Sequence, residues 1–486
     1  MNLKDELIKI VGRDYVLDAA EILEQYSRDH SFYPARRPNF VVRPHNTEEV
    51  QEIVKLANRC QVPLIPASSK AHFHGCTIPK QGGIVVDMRR FDRILEIDER
   101  NRNVKIEAGV TWGQLQSTLA QHEGMVVGPL MPHPEKSVIT TFLEREVPVI
   151  QIYEYREPLL SMEVVWPTGD VFRTGSASAK NYPNTLVKGV CPVGPGSVDF
   201  YRFLEGAQGT MGIVIWALLK FEYRPRVNRT FFVPLRSPAE AVEPFYRIGR
   251  RKIGYECLLL DKTSLISILT REPRFDAGSL DHVLPDWCLI LVLSGSRARP
   301  EERLAYEEEA LRETFKNEFA GLQLLSSLPG VPGIEHKLPD WLRDTWPQGL
   351  PFWKHSFKCG CEDLPFISRP ERVPGLLEVA AGVAGRYGHK TGDLGIYVQP
   401  LENSRACHVD LSFYFNPDSA SGMEWTRRVY AEVALALMNS GALYTRPYGV
   451  LADLVYGRAS SYTLALKKLK SVFDPNHIMA PGNLCF

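Results

Sequence analysis

The sequence predicts an α+β protein of more than one lobe, and three observations carry that prediction. "FVVRPHNTEEVQEIVKLANRCQVPLIP" reads strand, helix, strand, with apolar residues at helical spacing between two short β-branched runs. "ILEIDERNRNVKIEA" alternates with period two about a polar turn, the mark of an antiparallel hairpin. After Pro225 the text changes to long apolar strands, "CLILVLSG" and "CHVDLSFYF", among charged helices such as "RPEERLAYEEEALRETF", which read as an antiparallel sheet with helices.

The elements follow in order. Residues 1–40 read as a helix, a second helix near "DAAEILEQYS" and a turn rich in Pro and Arg at "YPARRP". In the βαβ unit Asn46 or Thr47 caps the helix, Glu48 and Glu49 fall in its first turn, and Val50, Ile53, Val54 and Ala57 form its apolar face. The hairpin turns at Asn101 to Asn103. Thr111 caps the helix "TWGQLQSTLAQHEG", which is expected to end at Gly124. "SVITTFLEREVP" is a short helical or turn segment, and "LLSMEVVWPTGDVFRTG" is strand, turn, strand. Residues 174–199, dense in Gly, Pro, Ser and Asn, form a long ligand-side loop. In "FLEGAQGTMGIV", Gly206, Gly209 and Gly212 permit close backbone approach or a tight helix-to-strand junction.

A chain of 486 residues exceeds what one core organises and points to roughly two or three domains. Its 57 basic and 57 acidic residues balance, so no global field recruits nucleic acid or an anionic membrane. A small molecule or another protein is the expected partner. No apolar run reaches bilayer length, and "MNLKDELIKIVGRDYV" has no signal-peptide core, which reads as cytoplasmic. Nine scattered cysteines suit reduced thiols. His355, Cys359 and Cys361 match no standard zinc spacing, and no metal site is expected.

The stretch Val62 to Met88 organises the rest. Its two apolar runs, "VPLIP" and "GIVVDM", read as core strands that hold a polar loop with Ser68, Ser69, Lys70, His72 and His74. Hydroxyls, amides and a lysine suit a diphosphate; an ordinary surface turn is the plainer alternative. "RNVKIEAGVTWGQL", "MVVGPL", "FLEGAQGTMGIV", "FDPNHIMAPGN" and Arg446 follow in sequence. In that order these strings resemble the flavin-binding oxidoreductases of the vanillyl-alcohol oxidase and p-cresol methylhydroxylase family, over Pro44 to about Pro225 and again from Gly441 to Phe486.

The resemblance implies FAD in a discontinuous PCMH-type domain, residues 1–225 and 436–486, with a substrate-capping lobe over 226–435. It implies cofactor contacts at Pro66, Ala67, Ser68, Ser69, Lys70, Ala71, His72, Ser137, Thr141, Gly209, Gly212, Ile213 and Asn483, with His72 a candidate for covalent attachment. Ser69, Lys70 and Ala71, and the string "PHPEKSVITTFLE", stand where the resembled proteins carry glycines. Arg446 would anchor substrate or flavin charge, and Tyr444 or Tyr448 would replace the phenolate-binding tyrosines. His133 and Glu135 are the candidate bases, with His389 and His408 in the capping lobe and a structural hydrogen bond the plainer role for each. By the same resemblance Tyr153 and Tyr155 fall on the substrate side, with simple sheet packing the plainer role.

The reaction implied is hydride transfer from an alcohol or phenol-like benzylic carbon to flavin N5. Without a cysteine run for an iron–sulfur cluster, the onward acceptor would be dioxygen or a partner subunit, in a homodimer or hetero-oligomer. A 2-hydroxy-acid dehydrogenase is the enzymatic alternative, although the "GEHG"-like string and His-x-His element of that branch are absent. A scaffold subunit with a degenerate FAD site is the alternative from another class.

Overall fold

The computed structural model describes residues 2–150, 158–179, 189, 191–295, 298–390 and 392–486. A four-stranded sheet comes first, in the order Val16–Leu17, Phe40–Val42, Ile84–Asp87, Leu64–Ala67, the last three strands parallel. Helix Thr47–Cys60 crosses it, capped by Asn46, whose side chain accepts from the Glu49 amide at 2.8 Å. Val50, Ile53, Val54, Leu56 and Ala57 are buried beneath that helix.

A five-stranded antiparallel sheet follows, ordered Ile94–Asp98, Asn103–Glu107, Ile213–Lys220, Leu159–Val165, Val171–Arg173. Thr111 caps helix Trp112–Ala120 as its position predicts. The helix stops before Gly124, the expected terminus. Gly124 instead pairs with Tyr223 in a two-stranded ribbon, pressed so closely on Phe221 that a Cβ would meet its ring at 3.0 Å.

Residues from Val227 to Phe415 form a six-stranded antiparallel sheet, ordered Val227–Leu235, Trp287–Gly295, Glu256–Asp261, Leu394–Leu401, Ala406–Phe415, Gly360–Ser368. Alternation assigns its two faces. Leu289, Leu291 and Leu293 pack into one core with helices Pro300–Glu318, Val373–Arg386 and Ala420–Asn439. Cys288, Ile290 and Val292 pack into the other, which also takes Leu130, Met131, Val149 and Ile150 from the loop before and after helix Val138–Leu143. That shared core holds the two lobes together. Among the described residues no helix is long and apolar enough to cross a membrane.

The C-terminal tail returns to the first sheet. Leu64 donates to the Ile478 carbonyl at 2.7 Å and accepts from the Ala480 amide at 2.8 Å, which adds the tail as an edge partner. The fully buried Lys470 ammonium secures this return, donating to Thr210 O at 2.6 Å, Asp474 Oδ2 at 2.6 Å and Met479 O at 3.0 Å. Asp474 in turn accepts from the amides of Ile478 and Met479. Removing one partner of such a pair strands the other charge, which costs about 3–5 kcal/mol. Lys470→Ala is therefore expected to lower unfolding free energy by about that amount in chemical denaturation, and Asp474→Asn by less.

Candidate active site

The loop that leaves strand Leu64–Ala67 is held on both sides. Ser68 Oγ lies 2.6 Å from Thr140 Oγ1. His72 Nε2 donates to the Ser69 carbonyl at 2.7 Å; a carbonyl can only accept, so the lone pair belongs to Nδ1. Burial brings the His72 imidazole down to about 4. Gly75, at φ 72°, donates to Asp29 Oδ2 at 2.7 Å, and burial pushes that carboxyl up to about 6. A Cβ on Gly75 would stand 2.7 Å from the Tyr33 ring, and one on Gly449, at φ 44°, only 2.2 Å from the same ring. Tyr33 thus clamps the loop against the segment that carries Arg446.

Two cavities flank this loop. The first lies beneath it, walled by Pro66, Ser68, His72, Thr140, Glu144 and the run Gly206 to Val214. Gly209 and Gly212, at φ 76° and 147°, bring backbone to its edge, and a Cβ on Gly212 would meet the Val165 carbonyl at 2.9 Å. Of the predicted cofactor contacts, Pro66, Ser68, His72, Gly209, Gly212 and Ile213 line it. Ala67, Ser69 and Lys70 instead line a pocket on the other face of the loop, and Ala71 is buried within the loop. Lys70 is exposed and paired with Glu135 at 3.3 Å.

Ser137 and Thr141 stand behind the wall. Ser137 caps helix Val138–Leu143 and donates to Ala108 O at 2.7 Å, while Thr141 Oγ1 accepts from the Trp112 indole at 2.9 Å. The cavity hydroxyl on this helix is Thr140. Asn483 donates to the carbonyls of Cys76 and Gln208, at 2.9 and 3.0 Å, so it ties the loop, the glycine run and the tail together.

The second cavity lies between the lobes. Phe73, Phe352, Trp353, Leu130 and Val147 supply apolar wall, and His74, His133, Lys136, Glu146, Lys354, Glu362, His408, Asp410 and Arg446 supply polar wall. Arg446 Nη2 lies 3.4 Å from Glu146 Oε1 and 3.5 Å from His74 Nε2, whereas its buried Nε has no hydrogen-bond partner among the described residues. A guanidinium only donates, so His74 Nε2 accepts and Nδ1–H donates to Glu362 Oε1 at 2.8 Å. Burial and then Arg446 hold His74 well below its ordinary value, and burial with Asp29 and Asp363 holds the Glu362 carboxyl well above. The pair is neutral.

His408 and Asp410, two apart on strand Ala406–Phe415, share one face. His408 Nε2 lies 3.4 Å from Asp410 Oδ1, which accepts no hydrogen bond among the described residues. Burial works against its charge, yet Lys354 and His408 keep the Asp410 carboxyl far below the ordinary range. His133 also faces this cavity, brought down to about 4 by burial, and its Nδ1 accepts from the Glu135 amide at 3.2 Å.

Several expectations need correction. The turn at His133 sends the Glu135 side chain outward, so it does not line the cavity. His389 stacks on Trp425 at 4.6 Å, away from the site. Tyr444 is spent on the Ala434 carbonyl, and Tyr448 stacks on His74 at 4.5 Å. Tyr153 and Tyr155 lie outside the described residues. Glu362, Lys136, Lys354 and Asp410 were not anticipated. The alternation of "CHVDLSFYF" was the one signal that paired His408 with Asp410.

These residues fit the expected FAD. The glycine-edged first cavity offers the paired hydroxyls of Ser68 and Thr140, one proton of which is engaged between them, and the free Nε of Arg446 is a buried donor in need of an oxygen. Comparison with known proteins agrees. The family described as an FAD binding domain matches residues 38–175. The glycolate oxidase subunit GlcD of Bacillus subtilis is 27% identical, over 99% of this chain and 96% of its own length. The D-2-hydroxyglutarate dehydrogenase of Stutzerimonas stutzeri is 23% identical, over 99% of this chain and 98% of its own. Among solved structures, p-cresol methylhydroxylase with substrate bound superposes with a TM-score of 0.81 at 18% identity, covering 100% of this chain and 96% of that one. The 4-ethylphenol oxidase of Gulosibacter chungangensis gives 0.83 at 18% identity, covering 99% and 96%. Sequence match, fold and site agree that this chain is an FAD-dependent oxidoreductase with the PCMH-type FAD-binding fold.

Proposed function

We propose that the chain oxidises an alcohol or a phenol-like benzylic carbon. The observation that carries this reading is Arg446, a buried guanidinium with a free Nε in a cavity walled by Phe73, Phe352 and Trp353. Bound FAD supplies the hydride acceptor at N5. Arg446 holds the substrate oxyanion in a water-poor site, where a charge-assisted hydrogen bond is strongest. The neutral His74–Glu362 pair braces Arg446 without cancelling its charge. His408 accepts the hydroxyl proton, and ionised Asp410 steadies the imidazolium that forms. His133, the base favoured by sequence, is the second candidate, since it faces the same cavity as a neutral imidazole.

A second reading has its own support. The relatives matched along their whole length are named for glycolate and 2-hydroxyglutarate, so a 2-hydroxy acid whose carboxylate docks on Arg446 stands beside the alcohol reading. In either case residues 1–225 and 436–486 form the cofactor lobe, 226–435 cap it, and dioxygen or a partner subunit takes up the electrons. His72, with its lone pair on Nδ1, is the residue for any covalent link; acid precipitation that leaves all colour in solution would dismiss that link.

Anaerobic mixing with benzylic alcohols and alkylphenols is expected to bleach the flavin, whereas bleaching by 2-hydroxy acids alone would select the second reading. Arg446→Met should lower kcat/KM about 10- to 100-fold, the worth of a charged hydrogen bond. His408→Asn should lower kcat by about 100-fold or more with KM little changed, and a variant at full rate would return the base role to His133.

The histidines also fix a pH dependence. His72 and His133 sit at about 4 in the folded chain, against about 6.5 unfolded. The unfolded chain takes these protons first, so the stability they lend is complete above about pH 6.5 and lost as pH falls toward 4. Melting temperature should drop across that window, and less steeply in His133→Asn.

A further inference from the structure

The partition between the two cavities carries a buried chain of charge, of which the proposed reaction uses Arg446 alone. Lys136 Nζ donates to Glu144 Oε2 at 2.5 Å and also to Glu146, and Glu146 in turn lies 3.4 Å from Arg446. Glu144 faces the first cavity, while Lys136, Glu146 and Arg446 face the second. Two carboxylates and two cations thus already balance each other.

The first cavity has no comparable balance. Its described wall holds neither lysine nor arginine, and the Arg145 guanidinium that packs behind Gly206 is turned to the carbonyls of Thr445 and Glu205; the titratable groups of the wall are His72, Cys76 and Glu144. Lys70, on the loop above, faces solvent and is engaged by Glu135. A diphosphate would bring about two negative charges against a wall whose one acid is Glu144, and like charges in a low dielectric repel strongly. Ser68, Thr77 and Thr140 can solvate phosphate oxygens but cannot offset their charge.

We propose that the chain binds its anionic cofactor together with a proton, taken up by Glu144 at the end of the Lys136 bridge. The proposal rests on the FAD reading. The charge that glycine-rich loops leave to backbone amides is here met by an acid that surrenders its charge. Every group facing Glu144 fits this role. Lys136, Glu146 and Arg446 stay paired once Glu144 is neutral, the Tyr448 hydroxyl meets only its backbone carbonyl at 3.5 Å, and Asp29 and Cys76 lie close enough to disfavour a second charge. Burial already raises the Glu144 carboxyl before any ligand enters. His72 is the competing proton acceptor.

The test is calorimetric titration of FAD into flavin-free protein between pH 6 and 8.5, in two buffers of different ionisation enthalpy. Uptake of about one proton is expected, with affinity weakening up to about tenfold per pH unit as pH rises. Glu144→Gln should abolish the uptake and flatten the pH dependence, and His72→Asn should keep both. Binding without proton uptake by the unaltered chain overturns the proposal alone, whatever the folding of the variants. Uptake retained in Glu144→Gln but lost in His72→Asn overturns it in favour of His72. Protein that takes up no FAD at any pH overturns the cofactor reading as well.

Discussion

The Lys470 ammonium is the point on which the rest of the architecture depends. It is buried with a single carboxylate for company and satisfies two carbonyls, one on the glycine run at Thr210 and one on the tail at Met479. Because a buried charge tolerates few arrangements, this contact fixes where the tail lies. The tail then pairs with Leu64, and Leu64 begins the strand that ends at the cofactor loop. Asn483 repeats the connection a few residues later by bonding both Cys76 and Gln208. Segments separated in sequence by the whole six-stranded sheet are thereby closed into one body.

Within the site, electrostatics divide the labour between charged and neutral groups. Lys136 and Lys354 are each held by two carboxylates, so neither is free to draw in an anion. The buried Nε of Arg446 has no hydrogen-bond partner among the described residues, and beside Glu146 at 3.4 Å the arginine tip meets His74 at 3.5 Å, neutral because burial and the arginine both disfavour its proton. Low dielectric makes that buried donor selective: an oxyanion gains much from it, and a neutral apolar group leaves it unsatisfied.

Much of the fold was legible in the sequence because it rests on local rules. Period, caps and turns located the βαβ unit, the Asn101 turn and the Thr111 cap, all determined by neighbours a few residues away. Gly124 misled because a glycine after a helix usually marks its end, while here its missing side chain makes room for Phe221, about a hundred residues distant. The site was less legible for the same reason. Thr140 and Thr141 are adjacent, and helix rotation alone decides which faces the cavity. His74 meets Glu362 and Arg446 across hundreds of residues, and no spacing rule reaches that far. Glu135 was misplaced because a backbone turn, closed by a histidine nitrogen, reversed its direction.

Tyr33 touches neither cavity wall, yet its ring fills the room that Gly75 and Gly449 leave open, and its hydroxyl lies 3.4 Å from the Tyr448 carbonyl and 3.3 Å from the Val450 amide. Both active-site loops are moulded on one aromatic template from the first forty residues. Libraries that vary only the residues lining the cavities would pass over this mould, although a smaller ring-bearing residue there would resize the space between the loops without replacing any residue that lines them.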